Sequence, residues 1–161
     1  MYGSDLTPTC HVSILYPQYS SGMNSLDLVK KKNSPKGNEI VRDAISALRD
    51  AAACSDWNFT NKLRLLEAEQ QSQRQNHRKS VDLYIASIEA AKNSGFIHEQ
   101  GLACEKAALY FMKVKEEEKA LQYFQQAREC YEEWGSDVKV DYVQKKLDSL
   151  SKGTSSSASF L

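Results

Sequence analysis

The segments KSVDLYIASIEAAKNSG (Lys79–Gly95) and KALQYFQQARECYEEWG (Lys119–Gly135) decide the fold, because they align at a shift of forty residues. Lys79 falls over Lys119, Tyr84 over Phe124, Ser87 over Ala127, Glu89 over Glu129 and Gly95 over Gly135. Few positions are identical, but small residues meet small ones and an aromatic meets an aromatic, as helix packing requires. Both segments end on glycine, which takes the left-handed C-terminal cap that other residues resist. With the helical stretch His98 to Lys115 between them, the unit reads as a helix, a short turn and a second helix. Neither helix can hide its apolar stripe alone, so neighbouring units must stack.

Outward from this core the same texture continues. From Asn38 glycine and proline nearly vanish, and Ile40, Val41, Ala44, Ile45, Ala47, Leu48 and Ala51 recur at three- and four-residue steps, as one buried helix face demands. A break near Cys54 to Asn58 offers Ser55, Asp56 and Asn58 as caps for a helix from about Phe59 to Gln73. Further helices are predicted over about Arg78–Ser94, His98–Lys115 and Glu117–Trp134. A capping helix follows from Ser136-Asp137, with Val140, Val143, Leu147 and Leu150 along one side. The fold class is therefore all-α: antiparallel helix-pair repeats over residues 38–150. Residues 1–37 hold all three prolines (Pro8, Pro17, Pro35) and read as an irregular or partly disordered segment. The Ser-rich stretch 151–161 reads as a flexible tail.

Within Gly101 to Trp134 the pattern resembles a tetratricopeptide repeat: Ala107-Ala108, Phe111, then Ala120 and Phe124 in A-x-x-x-F spacing, then Ala127. Three features depart from it. Glu132 stands where that family has proline, Cys104 stands where it has tryptophan, and a forty-residue step exceeds its roughly thirty-four. Alanine and aromatics at helical spacing also suit an ordinary antiparallel bundle. The two glycine stops in register favour the stack.

A second resemblance rests on motif order. Asn58-Phe59-Thr60-Asn61-Lys62, Leu65-Leu66-Glu67-Ala68-Glu69, Gly95 to Ala103 and Tyr131 to Val140 resemble the helical segment of very large sensor kinases. Those proteins join a kinase-like domain, an AAA-type ATPase, this helical array, a GAF domain and often a histidine kinase. The resemblance runs from about Ile40 to Leu161 and implies a coupling segment between the ATPase and GAF domains. None of the family's catalytic motifs is in the chain: there is no Gly-rich phosphate loop, no G-K-[ST] and no kinase catalytic loop.

Composition narrows the function classes. Among 161 residues, 21 Lys plus Arg balance 21 Asp plus Glu, whereas a nucleic-acid binder carries a basic excess. Lys30-Lys31-Lys32 and Lys36 read as a solvated loop. Cys10, Cys54, Cys104 and Cys130 form no C-x-x-C, so no zinc cluster is expected, and Cys104 and Cys130 read as small apolar fillers on helical faces. There is no signal-peptide pattern and no apolar run long enough to span a bilayer, so a cytoplasmic chain with no membrane insertion is expected. His11, His77 and His98 have no sequence-evident catalytic partner, Glu116-Glu117-Glu118 suits a helix N-terminus, and Trp57 and Trp134 read as packing anchors. No catalytic, cofactor or metal site is expected.

By the tetratricopeptide resemblance, a binding face lies on the first helix of each unit. It presents Leu102, Glu105, Leu109, Met112 and Lys113, with Lys62, Leu65, Glu69, Ser72 and Gln73 at the matching positions of the earlier unit. Glu69 and Glu105 on that face would repel the C-terminal carboxylate that chaperone-binding members hold. The expected partner is a protein or a neighbouring domain, and the expected role a non-catalytic scaffold in signal transduction. Two alternatives stand beside it: a fragment of a longer active signalling kinase, and a self-associating helical protein using Val140, Val143, Leu147 and Leu150 as its seam.

Overall fold

The computed structural model describes residues 22–23 and 35–157. Among them the structure is all-helical, with no strand. The helices are α1 (Pro35–Cys54), α2 (Asp56–Gln73), α3 (His77–Asn93), α4 (Ile97–Lys113), α5 (Glu117–Trp134) and α6 (Asp137–Ser157). Each packs on its neighbours in sequence, most extensively α4 on α5 and α2 on α3, and α2 also touches α4. The structural units are thus α2–α3 and α4–α5, with α1 in front and α6 as the cap.

Five turns join these helices, and the four that follow α2 have one geometry. Gln75, Gly95, Lys115 and Gly135 each have positive φ (58°, 72°, 63° and 79°), at a step of twenty residues. In each turn the N–H of that residue donates to the carbonyl three back, and the next N–H to the carbonyl five back. The pairs are Gln75 N–Ser72 O with Asn76 N–Gln71 O, Gly95 N–Lys92 O with Phe96 N–Ala91 O, Lys115 N–Met112 O with Glu116 N–Phe111 O, and Gly135 N–Glu132 O with Ser136 N–Tyr131 O. This is the Schellman closure of a helix C-terminus, which satisfies carbonyls the helix leaves open. The two glycine stops belong to the junctions between units. The turns inside each unit carry Gln75 and Lys115, where a side chain bears the left-handed strain.

The core runs continuously through the stack. Val41, Ala44, Ile45 and Leu48 of α1 meet Leu63 and Leu66 of α2, and Tyr84 and Ile88 of α3 join the same cluster. Ala103, Cys104, Ala107, Ala108 and Phe111 of α4, Ala120, Phe124, Ala127 and Tyr131 of α5, and Val143, Leu147 and Leu150 of α6 complete it. The small residues let helix backbones approach, and the aromatics fill the layers between them. Ser80 and Ser87 occupy the alanine positions in the first unit, and both are buried. Their hydroxyls donate to Asn76 O and Asn61 O, each at 2.8 Å, so burial leaves neither unsatisfied.

The chain departs from the sequence reading at both ends. Of the segment 1–37 read as irregular, residues 1–21 and 24–34 lie outside the described residues, but Gly22, Met23 and 35–37 are helical. Pro35 sits in the first turn of α1, where a missing N–H breaks no helical bond. Gly22 lies against the body so closely that a Cβ there would come within 2.9 Å of Ala44 Cβ. At the other end α6 continues to Ser157 through stretch 151–157, read as tail. Extending an existing helix costs far less than starting one, and the Ser151 hydroxyl donates back to Leu147 O at 2.7 Å. Residues 158–161 lie outside the described residues.

Candidate protein-contact site

The first helices of the two units, α2 and α4, lie side by side and bring the matched positions together. A shallow cavity of about 170 Å³ opens where they meet α3. Glu69 and Ser72 of α2 form one wall, Leu109 and Lys113 of α4 the other, and Tyr84 and Tyr110 the floor. Lys106 completes the rim. Of the five residues assigned to the face, Leu102, Leu109 and Met112 are half-buried and packed against the core, and Lys113 is exposed. Lys113 Nζ reaches across to Ser72 O at 3.4 Å.

Glu105 behaves differently from that reading. It is 6% exposed and does not stand out on the face. Its Oε2 accepts from Tyr131 Oη at 2.8 Å and pairs with Lys139 Nζ at 2.9 Å, tying α4 to α5 and α6. Glu69, 5% exposed, accepts from Tyr84 Oη at 2.6 Å. A carboxylate taken out of water must find donors, and a phenol supplies a short charge-assisted one. Burial, then the nearby Glu69 carboxylate, pushes the Tyr84 phenol far above its usual range. Burial and Glu105 do the same to Tyr131. The two glutamates are therefore internal fasteners, and the repulsion expected of them toward an incoming carboxylate is correspondingly weakened.

In the earlier unit, Leu65 is core and Ser72 is buried. Lys62 pairs with Glu99 Oε1 at 2.6 Å, where Asn61 Nδ2 also donates to Glu99. Gln73 is half-buried. The face is thus built from α4, with α2 supplying its edge.

Other singled-out residues find partners the sequence did not indicate. His77 opens α3, with Nδ1 at 2.8 Å from Tyr110 Oη and Nε2 at 3.3 Å from Glu116 Oε1. Glu116 also pairs with Lys119 at 2.5 Å. His98 lies against Trp134, with ring centroids 5.3 Å apart. Trp57 and Trp134, read as packing anchors, remain 59% and 50% exposed because each sits at a helix end beyond the layered core. His11 and Cys10 lie outside the described residues. Of the residues read as a self-associating seam, Val143, Leu147 and Leu150 are buried in the chain's own core, and Val140 packs half-buried against it.

Sequence reasoning missed Lys106, Tyr84 and Tyr110 as members of the face. Lys106 was within reach, since Leu102, Lys106, Leu109 and Lys113 follow one helical stripe. The two tyrosines come from the cores of α3 and α4 and join only in three dimensions. Among the described residues, no group of three or more His, Cys, Asp or Glu could hold a metal ion, and no helix is long and apolar enough to cross a membrane. No family model, curated protein or solved structure matches the chain.

Proposed function

We propose that the chain is a non-catalytic helical-repeat scaffold that contacts a protein or a neighbouring domain through the α4 face, as a coupling element in signal transduction. The observation that carries the reading is the stripe of Leu102, Leu109 and Met112, half-exposed beside the α2 edge and bordered by Lys106 and Lys113. Apolar groups left partly open between cationic rims suit a partner that buries the former and pairs with the latter. The motif order shared with ATPase-containing sensor kinases supports an interdomain form of the same contact. In that form the kinase and ATPase chemistry belongs to other domains. Cytoplasmic placement is part of this proposal.

A photo-crosslinking amino acid at Leu109 or Met112, in the native cell, tests it. Adducts to a polypeptide at these positions, and none at exposed Glu132 on α5, are expected. Equal labelling at all three positions would overturn the assignment of the face. Sequencing the flanking genomic DNA tests the interdomain form, which an in-frame ATPase or GAF coding segment would support and its absence would end.

A further inference from the structure

The surface around the α4 stripe continues onto α6. Lys139 of α6 sets its Nζ 2.9 Å from Glu105 Oε2, which brings the start of α6 against α4. From there a run of rings and cations crosses the surface. The Lys139 ammonium stands 5.3 Å from the Tyr131 ring and 5.6 Å from the Tyr142 ring. Lys146 stands 5.6 Å from the same Tyr142 ring. In the other direction Trp134 lies 6.4 Å from Tyr131 and 5.3 Å from His98, in the first turn of α4 and one turn before Leu102. Trp134 is 50% exposed and Tyr142 38%, so both rings are open to a partner.

Packing leaves charge of one sign on this side. The Glu69 and Glu105 carboxylates are buried against phenols, Glu99 is held by Lys62, and Lys139 is neutralised by Glu105. Among the described residues, Lys106 and Lys146 have no carboxylate within salt-bridge distance, and Lys113 reaches only the Ser72 carbonyl. The chain as a whole is balanced, and carboxylates gather elsewhere. Glu129 and Glu133 of α5 line a separate cavity of about 360 Å³, together with Lys92 of α3.

We propose that this surface, from the α4 stripe across Trp134 and Tyr142 to Lys146, holds an acidic segment of a partner protein whose side-chain carboxylates alternate with apolar residues. Docking of such a segment presupposes the α4 contact face and extends it onto α6. Its carboxylates pair with Lys106, Lys113 and Lys146, while Leu102, Trp134 and Tyr142 cover the apolar groups between them. Exposed tryptophan and tyrosine are the residue types that anchor interfaces. The Tyr142 ring also holds the Lys146 ammonium in place before a ligand arrives, which lowers the entropy cost of pairing it. The even charge of the chain and the apolar α4 stripe favour a peptide over a nucleic-acid strand, which takes a basic protein.

The test uses the full chain with Trp57→Phe, so that Trp134 is the sole tryptophan. A short random copolymer of glutamate and leucine should shift Trp134 emission to the blue as the ring leaves water. Polyglutamate of the same charge should bind about tenfold more weakly, for want of leucines to bury. A lysine–leucine copolymer should leave the emission unchanged. Lys106→Glu and Lys146→Glu should each weaken binding about fivefold, and Lys92→Glu, in the separate cavity, should not. Raising salt from about 0.1 M to about 1 M shortens the screening length from about 10 Å to about 3 Å, and should weaken binding further.

No emission change with the glutamate copolymer would overturn the acidic segment. So would an equal loss from Lys92→Glu, or tighter binding of the lysine copolymer or of an oligouridylate. In the native cell, Leu109 adducts that Lys106→Glu and Lys146→Glu leave undiminished would keep the contact face and remove its acidic occupant.

Discussion

The two helix pairs share a backbone but exchange the contents of two layers. At a shift of forty residues, Glu69 and Tyr84 of the first pair correspond to Leu109 and Phe124 of the second. Glu105 and Tyr131 of the second pair correspond to Leu65 and Ala91 of the first. Each pair thus has one buried phenol–carboxylate fastener and one apolar layer, in opposite order along the seam. A third exchange accompanies them. Gly101, against whose position the Tyr131 ring lies, corresponds to Asn61, and Tyr131 to the small Ala91. The stack constrains the summed volume and polar satisfaction of a layer, not the residue at any one place. That is why the first helices of the two units look unrelated when aligned.

Breaking one fastener tests the exchange with the largest expected effect. Tyr131→Phe should cost about 1.5–3 kcal/mol in urea unfolding, the worth of a hydrogen bond to a charged group. Adding Glu105→Leu turns the layer toward the apolar one at Leu65, and should recover most of that loss. No recovery would mean that Lys139, left without its partner, matters more than the buried carboxylate. The same fasteners set the alkaline limit of the fold. Both phenols titrate above their unfolded value near 10, so the folded chain keeps protons that the unfolded chain releases. Their contribution is complete below pH 10 and declines above it, by about 1.4 kcal/mol per pH unit for each tyrosine. Unfolding measured between pH 9.5 and 11 should show a shallower decline in Tyr131→Phe. An unchanged slope would count against the buried phenol.

Gly101→Ala sharpens the comparison from the other side. Its Cβ would meet Tyr131 Cε1 at 2.9 Å, so a loss of about 1–3 kcal/mol is expected from overpacking, against the gain in helix propensity. A neutral result would mean that the ring has room to move.

The turns give the smallest effect. Lys115→Gly and Gln75→Gly should each stabilise by about 0.5–1 kcal/mol, because glycine accepts the positive φ that these side chains resist. Gly135→Ala should go the other way. Melting curves of the three variants are enough to check the signs.

The sequence alone determined the number and order of the helices from Asn38 onward, because helix formers and three-to-four-residue apolar spacing are local signals. It also marked the two junctions between units, since glycine in a left-handed cap announces itself. The turns at Gln75 and Lys115 were not legible as caps: their conformation is imposed by the helices they join, and neither residue prefers it. The candidate face was legible as a stripe on α4, but the burial of Glu105 was not. Whether a carboxylate on a mixed helix faces water or a phenol depends on which residue lies opposite. Tyr84 lies 15 residues from Glu69, and Tyr131 lies 26 from Glu105. Only packing decides which of the many polar residues at such distances becomes the partner. The meeting of His77 with Tyr110 and Glu116 has the same origin. Residues far apart in the chain come together once close helix approach has chosen the register.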